Sequence, residues 1–158
     1  MTYSKEECIK DTKKHIKQVG NCIDEIVSEL LYRSLTHDKS KLQSPEVELF
    51  TEYTPKLAAC TYGSDEYKEN LKGLKVALDH HYEHNSHHPE HFPNGVQGMN
   101  LLDLIEMFCD WKAATMRHND GDLDRSIEIN KERFNLSDDL TQIFKNSVSL
   151  FDDVRSAD

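Results

Sequence analysis

The sequence predicts an all-α protein, a helical bundle of about six helices in a single domain over residues 1–158. Three observations predict the helices. Apolar residues recur at three- and four-residue steps over long stretches, the period of a helix buried along one face. Ser, Asn or Asp stands just ahead of most of these stretches, where a short polar side chain caps the first free backbone N–H groups. No two alternating apolar runs are joined by a hairpin turn, and no segment repeats.

The elements follow in chain order. Ser4-Lys5-Glu6-Glu7 reads as a capping box, Ser4 at the cap and Glu7 three residues on. The long helix behind it carries Ile9, Ile16, Val19, Ile23, Ile26, Val27, Leu30 and Leu31, and places His15 towards the buried face. Gly20 costs it about 1 kcal/mol of helix propensity. Ser44-Pro45-Glu46 starts a short helix that Thr54-Pro55 is expected to stop near Tyr53. A loop with Tyr62-Gly63 follows. Ser64 opens the next helix, which carries Leu71, Leu74, Ala77 and Leu78 into a histidine-rich stretch and should end by His87, because Pro89 cannot continue it. After the turn-rich Phe92–Gly98, Asn100 caps a helix with Asp103 at its third position. That helix is apolar nearly all round, as expected of a central one. Arg117-His118-Asn119-Asp120-Gly121-Asp122 turns the chain, a helix spans about Leu123 to Phe134, and Ser137 starts the last one. The tail Asp152–Asp158 should fray.

Length and charge bound the function. A chain of 158 residues is long enough to bury one good core. The formal net charge of -10 makes a polymeric nucleic acid an unfavourable partner. A small anion can still approach a bound cation, which dominates the local potential. Cys8, Cys22, Cys60 and Cys109 form no CxxC pair and read as reduced thiols of a cytoplasmic protein. The opening residues are polar, unlike a signal peptide, and no apolar run approaches the roughly 20 residues that span a bilayer. Oligomeric state is not legible, and a homo-oligomer is one option.

The chemistry concentrates in Asp79–His91, which holds six of the nine histidines: His80, His81, His84, His87, His88 and His91. Imidazole is the commonest metal ligand in proteins, and histidine is seldom packed for its own sake. Six rings cannot all bind one ion, so at least one is expected to be a ligand and at least two to lie at the surface or against substrate. Other candidate ligands are His15, the adjacent His37-Asp38, and Asp110, a carboxylate among large apolar residues that is costly to bury unless paired or metal-bound. The bland alternatives are a core-edge histidine for His15, a solvated lysine for Lys41 and a simple helix cap for Asp103.

In the order His15, His37-Asp38, Asp110, the chain resembles the H…HD…D signature of the HD-domain superfamily of metal-dependent phosphohydrolases, with Lys41 matching the longer HDxxK form. His80-His81, followed by Gly95, Gly98 and Asp110–Thr115, is similar to the HD-GYP branch, although the GYP tripeptide is absent. Asn85–Phe92, NSHHPEHF, also resembles a run found in a small family of bacterial and phage proteins, a likeness that supplies no activity. The superfamily resemblance implies that His15, His37, Asp38 and Asp110 hold a divalent ion (Mn, Zn, Mg, Co or Fe), with His80, His81, His84 or His88 available for a second. It implies a metal-activated hydroxide attacking a small phosphate ester, foremost a nucleotide, with Asp38 and Lys41 catalytic. Lys41, Arg33, Arg117, His84 and His88 would contact substrate, and Asp103 or Glu106 would shuttle protons or support the ligands. Two other readings stay open: a histidine-rich di-iron oxygenase of the same fold, and a non-catalytic protein stabilised by metal.

Overall fold

The computed structural model describes residues 3–61, 64–117 and 121–154. It contains six α-helices: α1 (Lys5–Thr36), α2 (Glu46–Ala59), α3 (Asp65–His84), α4 (Leu101–Thr115), α5 (Leu123–Phe134) and α6 (Asp138–Asn146). Short 3₁₀ turns cover Lys39–Leu42, Pro89–His91, Gly95–Gly98 and Val148–Phe151. There is no strand among the described residues. The expected loop at Tyr62-Gly63, the turn at His118–Asp120 and the end of the tail lie outside them.

The chain separates into two units, one ending at Thr36 and one running from His37 onwards. The first is α1. Its start is built as the sequence suggests: Glu7 N–H donates to Ser4 Oγ at 3.1 Å, and Ser4 N–H donates back to the Glu7 carboxylate at 2.8 Å. No residue of α1 is buried; Ile16 is 63% exposed and Leu31 61%. His15, read as facing a core, is exposed too.

In the second unit α2 packs against α3. The close approach needs Gly73, since a Cβ there would collide with the ring of Tyr53 from α2. This pairing overturns the expected stop before Pro55, because α2 continues through Pro55 to Ala59. Proline removes one backbone bond, but the segment beyond it is tied back by local contacts. Lys56 pairs with Glu52 at 2.6 Å and lies over the Tyr53 ring, 4.6 Å from its centroid. α3 ends at His84 rather than near His87, so the histidines of 80–91 do not share one helix face.

The core gathers Met107, Phe108 and Trp111 of α4, Leu123 and Ile127 of α5, Leu136, and Phe144 of α6. Phe108 stacks on Phe144 with ring centroids 5.0 Å apart, and Trp111 meets Phe144 edge-on at 5.3 Å. Burial of each large side chain contributes about 1.5–3 kcal/mol. Asn100 and Asp103 form the expected reciprocal capping box. With α4 fixed by its apolar side to this core, Asp103, Glu106 and Asp110 are left along its other side.

Candidate metal centre

Each wall of the site has a local origin. After α1 ends, Asp38 takes a left-handed backbone conformation (φ 56°, ψ 16°), which Asp tolerates better than most residues. His37 and Asp38, adjacent in sequence, are thereby turned to different sides of one cluster. α3 delivers His81. The break after His84 folds Asn85–His88 back, so that His87 and His88 approach His81 from the far side. α4 contributes Glu106 and Asp110.

The distances define three overlapping groups of possible ligand atoms, each within 4.8 Å of one another: Asp38, His81, His87 and His88; His37, His87 and Glu106; and His37, Asp38 and Asp110. Asp38 Oδ1 faces His81 Nε2 at 3.3 Å and His87 Nε2 at 3.5 Å. Its other oxygen accepts from Lys41 Nζ at 2.6 Å and is 3.5 Å from His37 Nε2. His37 Nε2 also lies 3.9 Å from Asp110. The lysine, with His37 and His81, outweighs burial and holds the Asp38 carboxyl below the usual carboxylate range.

Carboxylates behind the rings set which nitrogen faces inward. Glu46 is wholly buried, and both His80 Nδ1 (2.7 Å) and His81 Nδ1 (2.9 Å) donate to it. Burial drives that carboxyl up, but bonds from His80, Ser40 and His81 prevail and lower it. Glu106 takes the same part for His37 Nδ1, which donates to it at 2.9 Å, and faces His87 Nδ1 at 3.3 Å. The bond from Glu106 raises the His37 imidazole above its ordinary value. A ring that donates through Nδ1 presents a lone pair at Nε2, the arrangement of histidine ligands backed by carboxylates. His81 Nε2 and His88 Nε2 stand 2.9 Å apart. With His81 Nε2 an acceptor, the ion-free pair is satisfied by a proton on His88.

These residues fit a cation by an independent test. Buried polar atoms nearly always find a partner. Asp38 Oδ1 and His87 Nε2 are buried and have none. The two atoms lie 3.5 Å apart, both are acceptors in the tautomers just assigned, and no N–H or O–H among the described residues donates to them. A divalent cation supplies what they lack. Imidazole with carboxylate suits Zn, Mn or Fe better than Mg, which prefers oxygen alone.

Not every residue singled out from the sequence enters these groups. His37, Asp38, His81, His88 and Asp110 do. His15, on α1, belongs to none of them. His80 is spent on Glu46 and stacks on His84, ring centroids 4.1 Å apart. His84 Nδ1 donates to the His80 carbonyl at 2.8 Å at the surface. His88 joins the ligand-capable set rather than an outer, substrate-facing one. Lys41 touches Asp38 directly, Arg33 pairs with Glu29 on α1 at 3.4 Å, and Arg117 is exposed after α4. Asp103 caps α4 and accepts from Ser86 Oγ at 2.6 Å, which pins the segment carrying His87. Glu106 backs two histidines, as its reading as a supporting residue anticipated, and is itself within ligand range.

Two residues escaped the sequence reading. His87 was counted in the cluster but given no role, because the helix was expected to reach it. The His-His-Pro run after Asn85-Ser86 is the signal that the chain turns there. Glu46 read only as a helix start, and nothing local marks it as the buried partner of residues 34 and 35 positions away.

The fold and the site together define an all-α protein with imidazoles and carboxylates close enough to share a metal ion. The chain belongs to the family of unknown function DUF5662, whose model matches residues 4–150. No curated protein and no solved structure matches it. No helix among the described residues is long and apolar enough to cross a membrane.

Proposed function

We propose that the protein is a metal-dependent phosphohydrolase acting on a small phosphate ester, a nucleotide foremost, in the cytoplasm. One observation carries the reading: Asp38 Oδ1 and His87 Nε2 are buried without a partner where His81 and His88 also converge. The resemblance to HD-domain phosphohydrolases at His37-Asp38, Lys41 and Asp110 supplies the reaction class. Asp38, His81, His87 and His88 hold one divalent ion, and Asp38 is shared with His37 and Asp110, which can hold a second. Such ions supply Lewis acidity and an acidified water at neutral pH. Lys41 keeps Asp38 ionised and offers an ammonium beside the cluster to a phosphoryl oxygen. Glu46 and Glu106 hold the rings in the ligating tautomer. His15, the first residue of the resemblance, has no part in this assignment; His81, His87 and His88 provide the imidazoles.

The test is to measure bound metals by mass spectrometry and to screen a nucleotide panel with Mn, Mg, Co and Fe(II). Stoichiometric metal with hydrolysis of at least one phosphate ester, both lost in Asp38→Ala with helix content intact, is the expected result. Metal-free protein that takes up none of these ions would sink the reading. The imidazole-rich, two-ion character of the cluster favours one second reading, a di-iron oxygenase. Two irons per chain with oxygen uptake and no phosphate release would establish that instead.

A further inference from the structure

We propose that Asn85 and Ser86 are positioning residues for the metal: they fix where His87 and His88 meet the acids of the cluster. The proposal rests on the metal reading above and gives a part to the run Asn85–Phe92, of which that reading used only the histidines. A helix end leaves its last carbonyls without partners. At the end of α3 side chains take three of them. His84 Nδ1 donates to the His80 carbonyl, Asn85 Nδ2 to that of His81 and His91 Nδ1 to that of Tyr82, each at 2.8 Å. The backbone of Asn85 is extended (φ -128°, ψ 100°), so the chain leaves the helix there. His88 N–H then closes a turn onto the Asn85 carbonyl at 3.2 Å.

Two adjacent side chains fasten this turn to two different walls of the site. The second amide N–H of Asn85 donates to Ser40 Oγ at 2.9 Å, which uses both of its hydrogens. Ser40 lies in the turn that follows Asp38, and it also bonds Glu46, the carboxylate behind His81. Ser86 Oγ donates to Asp103 Oδ1 at 2.6 Å, a short bond to a buried carboxylate. The other oxygen of Asp103 accepts from Asn100 N–H at 2.9 Å, so Ser86 is tied to the first turn of α4, the helix of Glu106 and Asp110. His87, next in the chain, spans the same two walls: its Nε2 is 3.5 Å from Asp38 and its Nδ1 3.3 Å from Glu106. An amide and a hydroxyl thus hold the backbone across the gap that the imidazole bridges. A ligand already fastened in place gives up little freedom when an ion binds. Capping alone does not ask for this, since neither Ser40 nor Asp103 helps to close α3. The far end of the run provides a contrast. Glu90 pairs with Arg133 of α5 at 2.8 Å at the surface, and α5 carries no residue of the three ligand groups.

The experiment uses the full chain, freed of metal and titrated with Zn and Co(II) by calorimetry. Ser86→Ala and Asn85→Ala should each weaken binding about 10-fold, the lower end for residues that orient ligands. Ser86→Thr, which keeps the hydroxyl, should recover most of that loss. Ser40→Ala removes the same bond from its other side and leaves the His81 carbonyl capped, so it carries the test if Asn85→Ala does not fold. Because the two share one bond, changing both should cost less than the sum of the single changes. Arg133→Gln, at the exposed end of the run, should stay within about twofold. The visible spectrum of the Co(II) form follows its coordination geometry. It should change in Ser86→Ala and match wild type in Ser86→Thr, whereas a residue that only stabilises the fold leaves that spectrum as it was. Wild-type affinity and spectrum in Ser86→Ala and Ser40→Ala overturn the proposal while the metal reading stands. A wild-type chain that takes up neither ion overturns both.

Discussion

Two sets of three histidines lie within residues 80–91 and meet opposite fates. His81, His87 and His88 turn inward, and two of them are nearly sealed from solvent, His81 at 2% and His87 at 1%. His80, His84 and His91 turn outward: His84 and His91 donate through Nδ1 to the carbonyls of His80 and Tyr82, both at 2.8 Å. Residue type and spacing do not separate the sets. His80 and His81 even share the same buried carboxylate, Glu46, yet only His81 has its second nitrogen against Asp38. His81 and His87 have both ends of the ring committed, Nδ1 towards a carboxylate behind, Glu46 or Glu106, and Nε2 towards Asp38 in front, whereas His88 joins the cluster through His81 Nε2.

The largest expected effect falls on the acid that both sides share. Asp38→Ala should lower metal affinity by more than about 100-fold, beyond the loss typical of an outer partner. Titration of metal-free protein with Mn or Zn by calorimetry measures it. Next come the histidines themselves. Alanine at His81, His87 or His88 should each cost affinity about 100-fold, while His84→Ala and His91→Ala should stay within about twofold, an outer ring having no ligand role to lose. An outer variant as damaging as an inner one breaks the distinction between the sets.

The helices were legible in the sequence because their signals are local. Ser4 with Glu7, and Asn100 with Asp103, act within one turn, and α5 spans Leu123–Phe134 as expected, its first turn capped by Asp122. Pro55 misled because its effect on a helix end is a tendency, and packing of α2 on α3 decided the matter from a distance. The site was legible in part for the same reason. His37-Asp38 and Asp110 stood out as a pattern in order along the chain. His81 over His80, and Glu46 as their common anchor, depend on the rotation of α3 against α2, which no spacing within either helix encodes. His15 has the helical phase of Val19 and Ile26, but phase tells only that a face is apolar, not what will cover it.

A smaller effect should come from the carboxylates behind the rings. Glu106→Gln and Glu46→Gln keep the shape but replace one acceptor oxygen with an N–H₂ that faces imidazole N–H. Each should lower metal affinity about 10-fold, the lower end for supporting residues, and Glu46→Gln should also destabilise the metal-free fold by about 1–3 kcal/mol, the range for an unsatisfied buried group. Urea midpoints beside the calorimetry separate the two losses. If Glu46→Gln shifts stability and leaves affinity alone, Glu46 is a packing partner and does not orient His81.

The smallest expected effect is the pH dependence of the metal-free protein, and its sign follows from where the inner rings point. Burial, then the neighbouring His87 and His81, push the His88 imidazole down to about 3. In the unfolded chain it titrates near about 6.5. Between those values the unfolded state holds a proton that the folded state does not, so stability is full above the unfolded value and falls as pH drops towards the folded one. His81, lowered chiefly by burial, acts in the same direction. His37 is raised by its bond to Glu106 and opposes them, its contribution being lost as pH climbs through its folded value. The urea midpoint of metal-free protein should therefore fall between pH 7.5 and pH 5, and fall less in His88→Gln, which has no proton to gain. If His88→Gln kept the wild-type slope, burial of the His88 ring would not be what sets the profile.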